Sequence, residues 1–235
     1  MGRAFEFRKA RKMKRWSAMA KTFTRIGKEI VMAVKAGGPD PDGNARLRAI
    51  MQNAKAANMP KDNVLRAIKN ASDKDTSGYK EIIYEGYGPH GIAVLVESAT
   101  NNNIRTVANL RSDFKKCGGE LGQSNSVIFL FDHTCNFKID KGDHDPEELE
   151  LEFIDFGADE IFVEDEFIMI YSSFENFGSI QGALEEKEIE IVTSGFERLP
   201  TNTKSLTEEQ EEDMNKLLER LEEDDDVLNV YHTMI

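Results

Sequence analysis

The stretch YKEIIYEGYGPHGIAVLVESA, Tyr79–Ala99, marks a change in the character of the chain. Before it, apolar residues return every three or four positions. Within it they return every second position, first over YKEIIYEGYG and then over GIAVLVESA. Period-two alternation on both sides of a Gly- and Pro-rich step predicts two paired strands joined by a turn. The step also spells G-x-G-x-x-G at Gly86, Gly88 and Gly91. A dinucleotide fingerprint needs a helix N-terminus after the glycines, so that backbone N–H groups face a pyrophosphate. Here a strand follows and Pro89 removes a donor, so the glycines are read as a hairpin turn.

Upstream the pattern is helical. Met13, Trp16, Met19/Ala20, Phe23, Ile26, Ile30 and Val34 form one apolar stripe. The helix should stop at KAGGPDPDGN, where Gly37 and Gly38 supply left-handed caps and Pro39 and Pro41 block continuation. A second helix is expected from about Asn44 to Ala57, with Leu47, Ile50, Met51 and Ala54 inward. Asn58 suits a helix end and Pro60 a helix start. Val64, Leu65 and Ile68 then make a third stripe, so residues 53–71 read as a tight helical corner with a basic rim.

Downstream, NNNIRTVANLRSDFKKCGG is a helix with an Asn cap and a Gly stop, and SVIFLFDH reads as a buried strand. From NFKI onward the elements run β-α-β-β-α-β, a ferredoxin-like order. Thr207 and Gln210 make a capping box for a last helix, and VLNVYHTM closes the chain as a strand. The fold class is therefore α+β, an N-terminal helical domain followed by two small α/β domains, at least one of them ferredoxin-like. The sheet of 81–133 lacks a helix and a strand that the last 30 residues could supply. The expected division is 1–80, 81–135 together with 204–235, and an inserted 136–203. The polar linker 70–78 is the expected protease-sensitive joint, and limited proteolysis should release a basic fragment ending near residue 75. Primary cleavage within 81–133 would contradict that division.

Charge divides along the same line. Residues 1–80 hold 19 Lys and Arg against 7 Asp and Glu, a formal +12; residues 81–235 hold 11 against 36, a formal −25. Such asymmetry suits a polyanion-binding module joined to acidic domains. The competing reading is a helical domain docked on its own acidic neighbours. The candidate phosphate contacts are Arg8, Lys9, Arg11, Lys12, Lys14, Arg15, Lys21, Arg25 and Lys28 on the first helix, with Lys55, Lys61, Arg66 and Lys69 at the corner.

Other chemistry finds little support. No run of 18 apolar residues offers a membrane span. Cys117 and Cys135 form neither a metal spacing nor a disulfide framework, which points to a reducing, cytoplasmic setting. His90, His133, His144 and His232 never fall at ligand spacing. DPDGNA (40–45) begins like a calcium loop, but Ala45 stands where glycine is needed and Met51 where glutamate is needed. EEDDDV (222–227) reads as a solvated acidic turn. Trp16, on the apolar stripe, reads as core. No catalytic site, metal, cofactor or small-molecule substrate is expected.

Three strings carry a resemblance: AVKAGGPDPDGNARLRAIMQNAKAANMPKDNVLRAIK, YEGYGPHGIAVLVESATNNNIRTVANLRSDFKKCGGELGQSNSVIFLF and the terminal DDDVLNVYHTM. Together they resemble the YebC/PmpR family of probable transcriptional regulatory proteins, to which a mitochondrial translational activator of cytochrome oxidase also belongs. The resemblance covers nearly the whole chain, with NMPKDN and YEGYGP in order. It implies three domains, the first helical and basic, in a cytoplasmic, non-enzymatic protein that binds DNA or acts at the ribosome on ribosomal RNA. The acidic domains would repel phosphate or recruit a protein partner. The chain departs from the family at its start, where it reads GRAFEFRKARKMKRWSAMAK in place of a Gly-His-Ser-Lys-Trp arm.

Overall fold

Three helices begin the structure, a computed structural model that describes residues 3–72 and 78–235, with side chains from Met19 onward. They are α1 (Arg3–Gly37), α2 (Ala45–Ala56) and α3 (Lys61–Ser72). The stripe on α1 is buried at Ile26, Ile30, Ala33 and Val34, which pack on Leu47, Ile50, Ala54 and Val64. Met13 and Trp16 lie outside the described side chains, as do the cations from Arg8 to Arg15. Linker residues 73–77 are also outside the described residues. Gly38 turns the chain at φ +86°. Asn44 then ties the corner: its Oδ1 accepts from the Leu47 N–H at 3.0 Å, and its Nδ2 donates to the carbonyls of Ala33 and Gly38. Asn58 takes the left-handed conformation that separates α2 from α3, a region Asn tolerates better than most residues.

The hairpin forms as the alternation requires. β1 (Lys80–Tyr87) pairs antiparallel with β2 (Ala93–Thr100), Tyr84 opposite Val96. The glycines of the turn are packing residues: a Cβ on Gly86 would lie 2.6 Å from the Glu120 carbonyl oxygen, and one on Gly88 would lie 2.7 Å from Met214 Sδ. Next come α4 (Asn103–Lys116), capped by Asn102, and the short β3 (Glu120–Leu121). The end of the chain returns to this sheet. The helix Glu208–Glu223 (α7) opens on the Thr207–Gln210 capping box, and the strand Val227–His232 (β8) pairs with β2, giving the order β3-β1-β2-β8. Leu110, Phe114, Met214, Leu217 and Leu221 fill one face. The other face is closed by Val127 and Phe131 over Ala93 and Leu95.

The second sheet is built from β4 (Phe131–Asp140), α5 (Pro146–Phe153), β5 (Ala158–Glu164), β6 (Phe167–Ser173), α6 (Phe177–Glu186) and β7 (Ile191–Pro200). Its order β5-β6-β4-β7, with every pairing antiparallel, is the ferredoxin-like arrangement. Phe137, Ile139, Ile168 and Ile170 face α5 and α6 through Leu149, Phe153, Ile180 and Leu184.

One stretch differs from the sequence expectation. SVIFLFDH is not strand throughout: Ile128–Leu130 form a 3₁₀ turn and the strand starts at Phe131, running unbroken through 135 and 136. The cause is Glu85, which is buried at 5 % exposure. Its carboxylate accepts from the backbone N–H groups of Asn125, Val127 and Ile128 at 2.6–2.8 Å. Those donors are thereby withdrawn from any ladder, and the loop is folded over the sheet.

Candidate nucleic-acid interface

The cations of the helical unit separate into two groups according to the anions around them. The first group faces inward. Arg25 donates to the Glu222 carbonyl at 3.2 Å, and Lys28 donates to the Asp225 carbonyl and to Asp226 Oδ1 at 3.2 Å. The Lys28 and Asp226 side chains are only 12 % and 5 % exposed. Asp226 also accepts from the Arg105 guanidinium, from Thr106 Oγ1 at 2.8 Å and from Thr100 Oγ1 at 3.1 Å. One carboxylate thus joins α1, β2, α4 and the α7–β8 turn. Burial alone would raise its pKa, but hydrogen bonds from Arg105, Thr106 and Lys28 outweigh that and hold it below the ordinary carboxylate range.

Helix α2 docks in the same manner. Arg46 pairs with Glu81. Arg48 reaches Glu185 at 3.0 Å and the carbonyls of Pro41 and Asp42. Asn53 donates to the Ser194 carbonyl at 2.6 Å and accepts from the Ser194 N–H at 3.0 Å. Ala45 and Ala49 pack into the core of the ferredoxin-like unit. Docking on acidic neighbours, one of the two alternatives left by the charge pattern, is therefore present for Arg25 and Lys28.

The second group faces solvent. Lys21, Lys61, Arg66 and Lys69 are exposed. None of the four takes part in an ion pair among the described residues. Lys55 meets Glu190 at 3.4 Å, with both side chains at least 80 % exposed, a geometry of small energetic consequence. On α3 the exposed Leu65 lies between Lys61 and Lys69, so this helix presents cations around an apolar spot. The backbone of α1 is helical through Arg8, Lys9, Arg11, Lys12, Lys14 and Arg15, whose side chains are outside the described set.

Nucleophiles and metal donors are poorly placed for chemistry. Burial pushes the Cys135 thiol up to about 12, far from a reactive thiolate. Burial and then the Arg198 charge lower the His133 pKa from its ordinary value, and the ring is stacked 4.0 Å from Phe174. Among the described residues no group of three or more His, Cys, Asp and Glu could hold a metal ion, and no helix is long and apolar enough to cross a membrane.

Asp226 and Glu85 are the residues that sequence reasoning missed. Nothing in EEDDDV distinguishes its last acid from the solvated ones, except that Asp226 directly precedes the apolar strand Val227–His232.

Comparison with known proteins agrees with this architecture over most of the chain. Residues 3–74 match the family model described as the TACO1/YebC protein N-terminal domain, and residues 79–234 match the TACO1/YebC second and third domain. A probable transcriptional regulatory protein of Flavobacterium johnsoniae is 68 % identical over 234 residues, covering 100 % of this chain and 99 % of that one. Another of that name from Parabacteroides distasonis is 57 % identical, covering 100 % and 97 %. The crystal structure of a conserved hypothetical protein from Aquifex aeolicus superposes with a TM-score of 0.79 at 35 % identity, covering 92 % of this chain and 90 % of that one.

Proposed function

The chain belongs to the TACO1/YebC family, and from that premise we propose that it is a non-enzymatic, cytoplasmic regulator that binds DNA through its basic helical unit. The supporting observation is the set of cations left over after docking. Lys21, Lys55, Lys61, Arg66 and Lys69 are exposed on a unit of formal charge +12, while the rest of the chain carries −25. Phosphate is the ligand such a surface attracts, and the acidic remainder repels it, so a polyanion meets the molecule from the helical side only. Arg8, Lys9, Arg11, Lys12, Lys14 and Arg15 extend the same surface along α1. Lys28 and Arg25 serve docking and are left out of the proposed contacts. The relatives' names support regulation of transcription.

The three-part division remains part of this proposal: 1–80 binds, 81–135 with 204–235 carries it, and 136–203 is inserted, with its first strand reaching back to Phe131. Deleting 204–235 would then unfold the middle unit while 136–203 keeps its fold.

Changing Lys61, Arg66 and Lys69 together to Ala should leave the fold intact, because all three point to solvent. If each meets one phosphate of duplex DNA, the slope of log K against log salt should fall by about 2.7, at roughly 0.9 per contact. An unchanged slope in the folded triple variant would remove these residues from the interface. The competing target is ribosomal RNA, which the same cations would suit. Crosslinking in cells with sequencing of bound DNA and RNA separates the two, since enrichment of ribosomal RNA alone would replace DNA as the ligand.

A further inference from the structure

Helices cover one face of the ferredoxin-like sheet, and the opposite face is a platform of aromatic rings among carboxylates. The register fixes its rows. Glu160 lies beside Tyr171, and Tyr171 beside Asn136; in the next row Phe162 lies beside Met169, and Met169 beside Lys138. These alternate with the buried Ile168 and Ile170, which point to the helices. Phe162, 37 % exposed, stacks on Tyr171 with ring centroids 5.9 Å apart and planes 11° apart. Burial and then the carboxylates of Glu197, Glu164 and Glu160 push the Tyr171 hydroxyl up from its ordinary value. At the far end, Lys138 Nζ already sits 3.9 Å from the centre of the Phe167 ring.

We propose that this sheet face is a docking surface for a Lys- and Arg-rich segment of a partner protein, with cationic side chains over Phe162 and Tyr171 and paired with Glu160, Glu164 and Glu197. The argument is one of charge. Stacked aromatic rings on a four-stranded sheet could also receive unpaired bases, as RNA-binding sheets do. A nucleic acid would bring its phosphates against three carboxylates, and Lys138, the cation in the Phe162 row, is already seated on Phe167. An ammonium or guanidinium meets the opposite situation, ring faces attractive to cations and, beside Tyr171, the Glu160 carboxylate in the same row. The Lys138–Phe167 contact is an internal example of the geometry a partner's cation would adopt. The surface is independent of the helical unit, so it stands or fails separately from the DNA-binding reading.

The test is a titration of the full chain, with its aromatic rings isotope-labelled, against an acetylated (Gly-Arg)₄ amide peptide and against oligouridylate. The peptide should shift the Phe162 and Tyr171 ring signals ahead of others. Replacing Phe162 by Ala together with Glu160→Gln should weaken peptide binding about tenfold, the size expected for one ring contact and one charge pair. Glu147→Gln with Glu148→Gln, which removes equal or greater acidic charge on α5, should change it less than about twofold. Tyr171→Phe keeps the ring and the fold and should retain binding. Equal weakening by the α5 changes would reduce the interaction to general attraction by an acidic protein and overturn the proposal. Ring shifts with oligouridylate in place of the peptide would overturn it in favour of a nucleic-acid platform, and ring signals unmoved by either ligand would overturn it outright.

Discussion

Asp226→Ala should destabilise the protein by about 3–5 kcal/mol, the cost of removing one partner from a buried charge cluster. The carboxylate holds Lys28, Arg105, Thr106 and Thr100 at once. Without it the Lys28 ammonium, 12 % exposed, keeps the Asp225 carbonyl and the face of the Tyr79 ring, 5.8 Å away, but no carboxylate among the described residues. The loss should fall on the joint between α1 and the first sheet, so amide exchange should rise in 24–34 and 99–107 together. Asp226 is also held below the ordinary carboxylate range, so its stabilisation is present above the unfolded pKa and is lost as pH falls through the folded one. The variant should therefore lose part of the acid-induced unfolding slope. Denaturant titration at neutral and acid pH reads both effects, and a loss under about 1 kcal/mol at pH 7 would mean that the cluster is not a joint.

Glu29→Gln should act in the opposite sense. Burial lifts this carboxyl from 4.5 to about 7, against the lowering influence of Arg46 and Arg25 and with that of Glu81 and Glu97 added to it. A carboxyl whose folded pKa is raised binds its proton more tightly in the folded state. Stability is then greatest below the unfolded value of 4.5, falls as pH rises through the interval, and carries the full penalty above 7. Glutamine is neutral at every pH. The variant should gain up to about 3 kcal/mol at pH 8 and almost nothing at pH 4, the size implied by a shift of this extent. Equal stability of the two proteins at pH 8 would place the Glu29 charge in solvent.

Local signals carried much of the architecture. The Tyr79–Ala99 hairpin follows from period-two alternation around a turn that Pro89 and Gly91 require. The Thr207–Gln210 box, the Asn102 cap and the left-handed Asn58 follow from side chains that bond or tolerate their own backbone. The ferredoxin-like order follows from counting elements. What could not be read was the identity of the anion that each cation meets. Lys28 and Lys61 look alike in a sequence, yet one lies beside Asp226, some 200 residues away in the chain, and the other faces water. Glu85 was hidden for a related reason. Alternation placed it on the second face of a hairpin, where a carboxylate is ordinarily solvated, and only the loop at 125–128 supplies three N–H groups to hold it.

The reciprocal bonds between Asn53 and Ser194 have a consequence for life at high concentration. β7 is one of the two edge strands of its sheet, β5 being the other, and an edge strand is an invitation for another chain to add on and start a fibre. Asn53 occupies both backbone groups of Ser194 as a neighbouring strand would, and Ala45 and Ala49 of α2 pack on the core beside it. The helical unit thereby shields a sheet edge, a role separate from the binding proposed for it. Opening of the α2 contact, even without unfolding of the sheet, would expose a template for polymerisation.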